Sequence, residues 1–112
     1  MKGERNRRQL HEEIEKRFYP LGQFLGGYLH QDWPKLHGTP EQAVGKAIEE
    51  YPVELRQEVR RKMAALLMEL TDDWQLRDAL NRALGVNVHF KTPAAARAFA
   101  LDVEARLIAS LN

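Results

Sequence analysis

The stretch TPEQAVGKAIEEYPVELRQEVRRKMAALLMEL, residues 39–70, specifies the fold most clearly, because its capping residues and prolines predict where two successive helices begin and end. Thr39 can cap a helix, Pro40 suits the first helical position, and Gln42 completes a capping box. Pro52 ends that helix and can open the next one. Apolar residues then recur at the spacing of one buried helix face. The predicted face comprises Leu55, Val59, Met63, Leu66, Leu67 and Leu70.

The same periodicity continues towards the N-terminus. An amphipathic helix is predicted from about Arg5 to Arg17, and Pro20 can open a second helix at its first turn. The second helix contains three glycines, each of which costs about 1 kcal/mol relative to Ala in a helix interior. Gly22 and Gly26 lie four residues apart, so they either let another backbone approach closely or mark a short helix that breaks at Gly26–Gly27. The predicted buried residues are Leu21, Phe24, Leu25, Tyr28 and Leu29.

Towards the C-terminus, two further helices are predicted. Asp72 caps the first, and Gly85 is a natural stop. Residues 86–90 alternate like a strand, but a lone strand has no partner, so we expect a buried connecting loop. Thr92-Pro93 starts the last helix. The prediction is an all-α fold, a compact single-domain bundle of about six helices.

The last helix has apolar residues on two sides, which is typical of a central helix with neighbours on both flanks. We predict that Trp33 and Trp74 are core anchors, whereas a Trp exposed at an acidic surface would be a hot spot for a partner. One apolar stripe contains Ala96, Phe99, Ala100, Val103 and Leu107, and the other contains Leu101, Ile108 and Leu111.

Composition restricts the chemistry. The chain has 112 residues, no cysteine and a net charge of +1, which excludes disulfides, zinc fingers and thiol catalysis and weakens a nucleic-acid-binding role. Without a signal peptide or a long apolar run, we expect a cytoplasmic protein. Ser110 is the single serine and the four histidines are scattered. We therefore predict no enzyme activity, no catalytic or metal site and no cofactor.

Charge is unevenly distributed along the chain. Residues 1–9 read as a basic, flexible arm before a single helical domain over residues 10–112. Acidic residues concentrate in residues 41–58 and 69–78. Exposed acids are ordinary on helical proteins, but together they can form a docking surface for a basic partner.

The most unusual stretch is FLGGYLHQDW, residues 24–33. Its polar and aromatic residues can form an architectural corner at a helix end, or His30 and Asp32 can belong to a polar recognition spot. The residues in question are Tyr28, His30, Gln31, Asp32 and Trp33.

This motif, followed by GTPEQAV at residues 38–44, resembles an immunity-protein family of bacterial contact-dependent growth inhibition systems. The resemblance covers residues 20–48, with a looser helical match elsewhere. It departs from the family pattern at Leu29, where a larger aromatic residue is common, and at Pro34-Lys35, where an acidic residue often stands. The basic arm is also peculiar to this chain.

The resemblance implies a cytoplasmic protein that binds the C-terminal toxin domain of an effector, often a nuclease, in a 1:1 complex and occludes its cleft. The motif residues would then be structural. A helical adaptor for a host protein, or a nucleic-acid binder using basic residues such as Arg60 and Arg61, are the alternatives. The acidic candidates for contacting the toxin are Glu49, Glu50, Glu54, Glu58, Glu69, Asp72, Asp73 and Asp78.

Overall fold

The computed structural model describes residues 7–30 and 38–112, and it confirms the all-α prediction for them. The helices are α1 (Arg7–Arg17), α2 (Tyr19–Tyr28), α3 (Pro40–Glu50), α4 (Val53–Glu69), α5 (Asp73–Asp78) and α6 (Pro93–Ser110). Helix α5 continues directly into a π-helical turn, Ala79–Ala83, where the sequence predicts regular α-helix.

The predicted helix starts are present. The Thr39 hydroxyl accepts from the Gln42 backbone N–H while the Gln42 side chain accepts from the Thr39 N–H, so the capping box is complete. The Asp72 carboxylate accepts from the backbone N–H groups at the start of α5, and Thr92 caps α6. Gly85 has a positive φ of 71° after the π-helical turn, which is the conformation glycine adopts most readily. Helix α1 includes residues 7–9, which the charge pattern assigns to the arm.

Every helix contributes buried apolar residues to one core. Helices α4 and α6 run antiparallel, and an arginine fastens each end of the pair. Arg56 in the first turn of α4 donates to the carbonyl oxygens of Tyr51 and Ser110, at 2.9 and 2.8 Å. At the other end, Arg97 of α6 donates to the carbonyl oxygen of Leu70. The buried core includes Ile14, Phe18, Leu21, Phe24, Val44, Ala47, Val59, Met63, Leu66, Leu76, Leu80, Ala96, Ala100, Val103 and Leu107.

The glycines of α2 serve a close backbone approach. A Cβ atom built on Gly26 would lie 2.9 Å from the carbonyl oxygen of Leu84, so the backbone after α5 passes directly over this helix. Because α2 continues to Tyr28, the alternative of a helix break at Gly26–Gly27 is wrong.

Residues 86–90 form the connecting loop that the sequence predicts, but the loop is buried only in part, because Asn87 and His89 are exposed. Val86 and Phe90 are buried, and the Asn81 side-chain amide donates to the carbonyl oxygens of Val86 and Val88 at 2.8 and 2.9 Å. This one amide replaces the missing strand partner for two backbone carbonyls.

Four large apolar residues predicted to be buried are exposed instead. Leu55 is 46% exposed because it lies at the outer end of α4, one turn before the first buried residue of the stripe. Trp74 is 66% exposed because it stands two residues before buried Leu76, about 200° away around the helix. Leu101 and Ile108 of α6 are 49% and 44% exposed. Helix α6 does contact α3, α4 and α5, but the prediction that its second apolar stripe is covered is wrong for these two residues.

Candidate functional site

The eight candidate carboxylates fall at opposite ends of α4. This helix has 17 residues and is therefore about 25 Å long at 1.5 Å per residue. The first group, which we call the acidic corner, surrounds the α3–α4 turn and comprises Glu49, Glu50, Glu54 and Glu58. The second group surrounds the α4–α5 connection and comprises Glu69, Asp72, Asp73 and Asp78. A single compact patch does not contain all eight.

Two carboxylates of the second group stabilise the ends of helices. The two terminal guanidinium nitrogens of Arg17, Nη1 and Nη2, donate to the Glu69 carboxylate, Nη1 at 2.9 Å, and this contact links the C-terminal ends of α1 and α4. The hydrogen bond from Arg17 is the main reason that the pKa of Glu69 lies below its ordinary value. Asp72 is occupied by the N–H groups of Trp74 and Gln75. These contacts reduce the negative charge that this end presents to a partner.

The other two carboxylates of the second group tie α5 to its neighbours. Asp73 forms an ion pair with Arg97 of α6. Asp78 lies 2.7 Å from the Nε2 atom of His11 on α1 and 3.0 Å from the Nε atom of Arg82. The second group therefore holds α1, α5 and α6 together.

The acidic corner carries less compensated charge. Within the part of the chain that the structure describes, the carboxylates of Glu54 and Glu58 form no ion pair and no hydrogen bond. Glu49 lies 3.7 Å from Lys46 and its side chain is 75% exposed. Val53 and Leu55 are exposed between these carboxylates. Negative charge beside exposed apolar side chains suits contact with a basic partner.

Tyr28 of the motif links α2 to α3. Its hydroxyl donates to the Glu50 carboxylate at 2.6 Å, and its ring packs edge-on against Tyr51. Glu50 also lies 3.5 Å from Lys46, so this acid of the corner has structural partners. His30 is half-buried just after the end of α2.

Gln31, Asp32 and Trp33 lie outside the described residues, as does any convergence of His30 with Asp32. The contacts of Tyr28 are those expected of an architectural corner.

Burial and the hydrogen bond to Glu50 raise the pKa of Tyr28 to about 12. Because the folded-state pKa exceeds the unfolded value, the neutral phenol stabilises the fold below pH 10, and this contribution is lost as the pH rises towards 12. In an ultraviolet titration of the folded protein, Tyr28→Phe is expected to remove one late-ionising phenol. Tyr51, whose pKa burial also raises, should still titrate late. Loss of an early-ionising phenol instead would contradict this assignment.

Trp74 is the aromatic residue that sequence reasoning misplaced. It stands at the second position of α5, and the Arg77 guanidinium lies 4.8 Å from the centre of its ring. It borders a groove of about 840 Å³ between α5 and residues 86–90. Its spacing from Leu76 was the signal that could have revealed its exposure. Trp and Arg are common hot-spot residues, so this groove is a second candidate contact surface.

Neither a metal cluster nor a membrane span emerges from the described ranges. No group of three or more His, Asp or Glu side chains among residues 7–30 and 38–112 could hold a metal ion. In the same ranges, no helix has the length and apolar character needed to cross a membrane.

The fold and these surfaces define a small all-helical protein with two candidate contact surfaces, one acidic and one centred on an exposed Trp. The chain belongs to the CdiI immunity protein family, whose model matches residues 17–107. No curated protein and no solved structure matches it. The protein is thus an immunity protein of contact-dependent growth inhibition. Membership of the family implies that it binds a cognate toxin. Proteins of this family are generally non-enzymatic.

Proposed function

We propose that this protein neutralises a nuclease toxin in the cytoplasm by forming a 1:1 complex in which the acidic corner occludes the catalytic cleft. Nucleases bind phosphates and therefore present basic clefts. A rigid acidic surface fits such a cleft, and complementary charge accelerates association. No covalent step is required of the immunity protein.

The observation that carries the proposal is that Glu54 and Glu58 form no ion pair with any described residue. Glu54 and Glu58 have their carboxylates available for a partner, whereas the second group is engaged in ion pairs and a helix cap. Desolvating an already paired carboxylate would require breaking its internal contact, which costs more than recruiting an available one. The exposed Val53 and Leu55 add apolar area at the same place.

The experiment is co-expression with the toxin domain encoded by the neighbouring large secreted protein. We expect the immunity protein to restore growth and to co-purify with the toxin in equal amounts. The purified pair should lose nuclease activity on RNA or DNA, and the complex should dissociate faster as salt is raised. Cell death in the presence of folded immunity protein, with no complex formed, would contradict toxin neutralisation and favour an adaptor role.

Cleavage of a short oligonucleotide by the complex tests whether binding of the immunity protein also blocks the catalytic cleft. If the complex forms but still cleaves a short oligonucleotide as fast as free toxin does, the cleft is open and the occlusion mechanism is wrong. A toxin that has no nuclease activity but is still neutralised would contradict only the nuclease assignment.

A further inference from the structure

The outward face of α6 is apolar along most of its length. Ala94, Ala98, Leu101, Ala105 and Ile108 are all exposed. Their spacings of four, three, four and three residues place them in one stripe about 80° wide on a helix of 3.6 residues per turn. Most helices expose polar residues on the side opposite the core, so this face has the composition of a contact surface and lacks a described neighbour.

The stripe lies opposite the residues that bind α6 to its own core. The buried side of the helix comprises Ala96, Ala100, Val103 and Leu107, each 0% exposed. From Ala94 to Ile108 the outward stripe is about 21 Å long at 1.5 Å per residue. Three alanines allow a second helix to approach closely, while Leu101 and Ile108 provide side chains that can pack between its residues.

Acidic residues flank the stripe on both sides. Asp102 lies along one edge, with its side chain 57% exposed, and Glu104 lies along the other. Of the two arginines nearby, Arg97 pairs with Asp73, whereas Arg106 donates to the carbonyl oxygen of Glu41 and lies 3.9 Å from Asp102, so it offsets part of the charge of Asp102. Glu104 forms no ion pair with any described residue, which leaves net negative charge along the stripe. The flanking charge therefore favours a basic partner.

A shallow apolar groove continues this face sideways. It has a volume of about 360 Å³ and is bordered by Ala98, Asp102 and the aromatic ring of Phe99 on one side and by Val88 and Phe90 on the other. The face thus offers both a helix surface and an adjoining recess for side chains of a partner.

We propose that the outward face of α6 docks a helix of the cognate toxin that has an apolar stripe flanked by Lys or Arg. This inference rests on the proposed function, since it takes the toxin as the partner. A second copy of this chain fits the face less well. An antiparallel pairing that sets Leu101 against Ala105 of the copy would also bring Asp102 and Glu104 close to the same residues of the copy, and like charges repel.

The position of α6 connects this face with the acidic corner. The Arg56 guanidinium joins the start of α4 to the end of α6 through the carbonyl oxygens of Tyr51 and Ser110. The Ile108 end of the stripe is therefore at the same end of the molecule as Glu54 and Glu58. A toxin seated at the corner can extend along α6 within one interface of ordinary size.

The test is the affinity of full-length Leu101→Glu for the toxin domain, measured by calorimetry. We expect the dissociation constant to rise about 30-fold or more, because a carboxylate replaces an apolar side chain at the centre of the contact. The added negative charge makes the result diagnostic, since attraction of a basic toxin by charge alone would leave affinity unchanged or improve it. Glu104→Lys should weaken binding about three- to tenfold and reduce its salt dependence.

Tyr19→Glu is the matched control, because it also places a carboxylate at an exposed apolar residue, on α2. It should bind the toxin like the wild type, and urea unfolding should show that all three variants fold. Wild-type affinity in folded Leu101→Glu would overturn the inference while leaving toxin neutralisation intact. A wild-type dimer that Leu101→Glu separates would also overturn it. Failure of the wild type itself to bind toxin would instead refute the proposed function.

Discussion

The double variant Glu54→Lys/Glu58→Lys is expected to bind the cognate toxin domain about 100-fold more weakly and to lose protection in co-expression. Each substitution replaces attraction with repulsion at a basic cleft, and about 1.4 kcal/mol per reversed charge gives this factor. The association rate should fall most, and the difference from the wild type should shrink at high salt because screening weakens attraction and repulsion alike. Stopped-flow or surface-plasmon kinetics at two salt concentrations measures these effects.

The variant Glu12→Lys/Glu15→Lys is the matched control, because it makes the same change of net charge on exposed residues of α1. It should keep nearly wild-type affinity if the acidic corner is the contact. Glu54 stands in the first turn of α4, so its reversal costs about 0.3–1 kcal/mol through the helix dipole. Urea unfolding of both variants accounts for that loss. Equal weakening by both pairs would mean that net charge, and not the corner, drives binding.

The variant Trp74→Ala tests which of the two candidate surfaces, the acidic corner or the groove beside Trp74, contacts the toxin. This variant removes the exposed ring at the far end of α4 and should leave affinity within about threefold of the wild type if the acidic corner and α6 make the contact. A loss of about 2 kcal/mol or more, about 30-fold, is what a hot spot would give. Such a loss, with no effect of reversing Glu54 and Glu58, would move the interface to the groove beside α5.

The second large effect concerns two adjacent glycines of α2, which are expected to respond in opposite directions. Gly26→Ala should lower the free energy of unfolding by about 1–2 kcal/mol, because the new methyl group would lie 2.9 Å from the Leu84 carbonyl oxygen. Gly27→Ala should raise it by up to about 1 kcal/mol, because nothing lies within 4 Å and alanine is the better helix former.

Urea unfolding of the two variants and the wild type provides the comparison, and each glycine serves as the control for the other. Stabilisation by both substitutions would mean that the backbone after α5 yields easily and that the close approach is not a constraint. Destabilisation by both would mean that the gain in helix propensity at Gly27 is outweighed by another effect of the added methyl group.

Local signals predicted the helices well because they act within a few residues. The Thr39 capping box, the Asp72 cap and the Gly85 stop each depend on a side chain and a backbone group three or fewer residues apart, or on one φ angle. The family resemblance likewise rested on contiguous motifs, and the family match over residues 17–107 confirms it. The contacts of Gln31, Asp32 and Trp33 with a partner, or with the fold, stay predictions.

The all-α class, most of the helix starts and ends, and the connecting loop at residues 86–90 follow from the sequence alone. Which apolar residues are covered, and which carboxylates are already paired, depends on the tertiary structure. Leu101 and Ile108 satisfy helical spacing as well as any core residue does, but burial depends on whether another element lies over them. Similarly, Glu69 and Glu58 look alike in sequence, yet Glu69 meets Arg17 from 52 residues away. Periodicity reports the angle around one helix, whereas pairing and burial depend on how the helices are placed around one another.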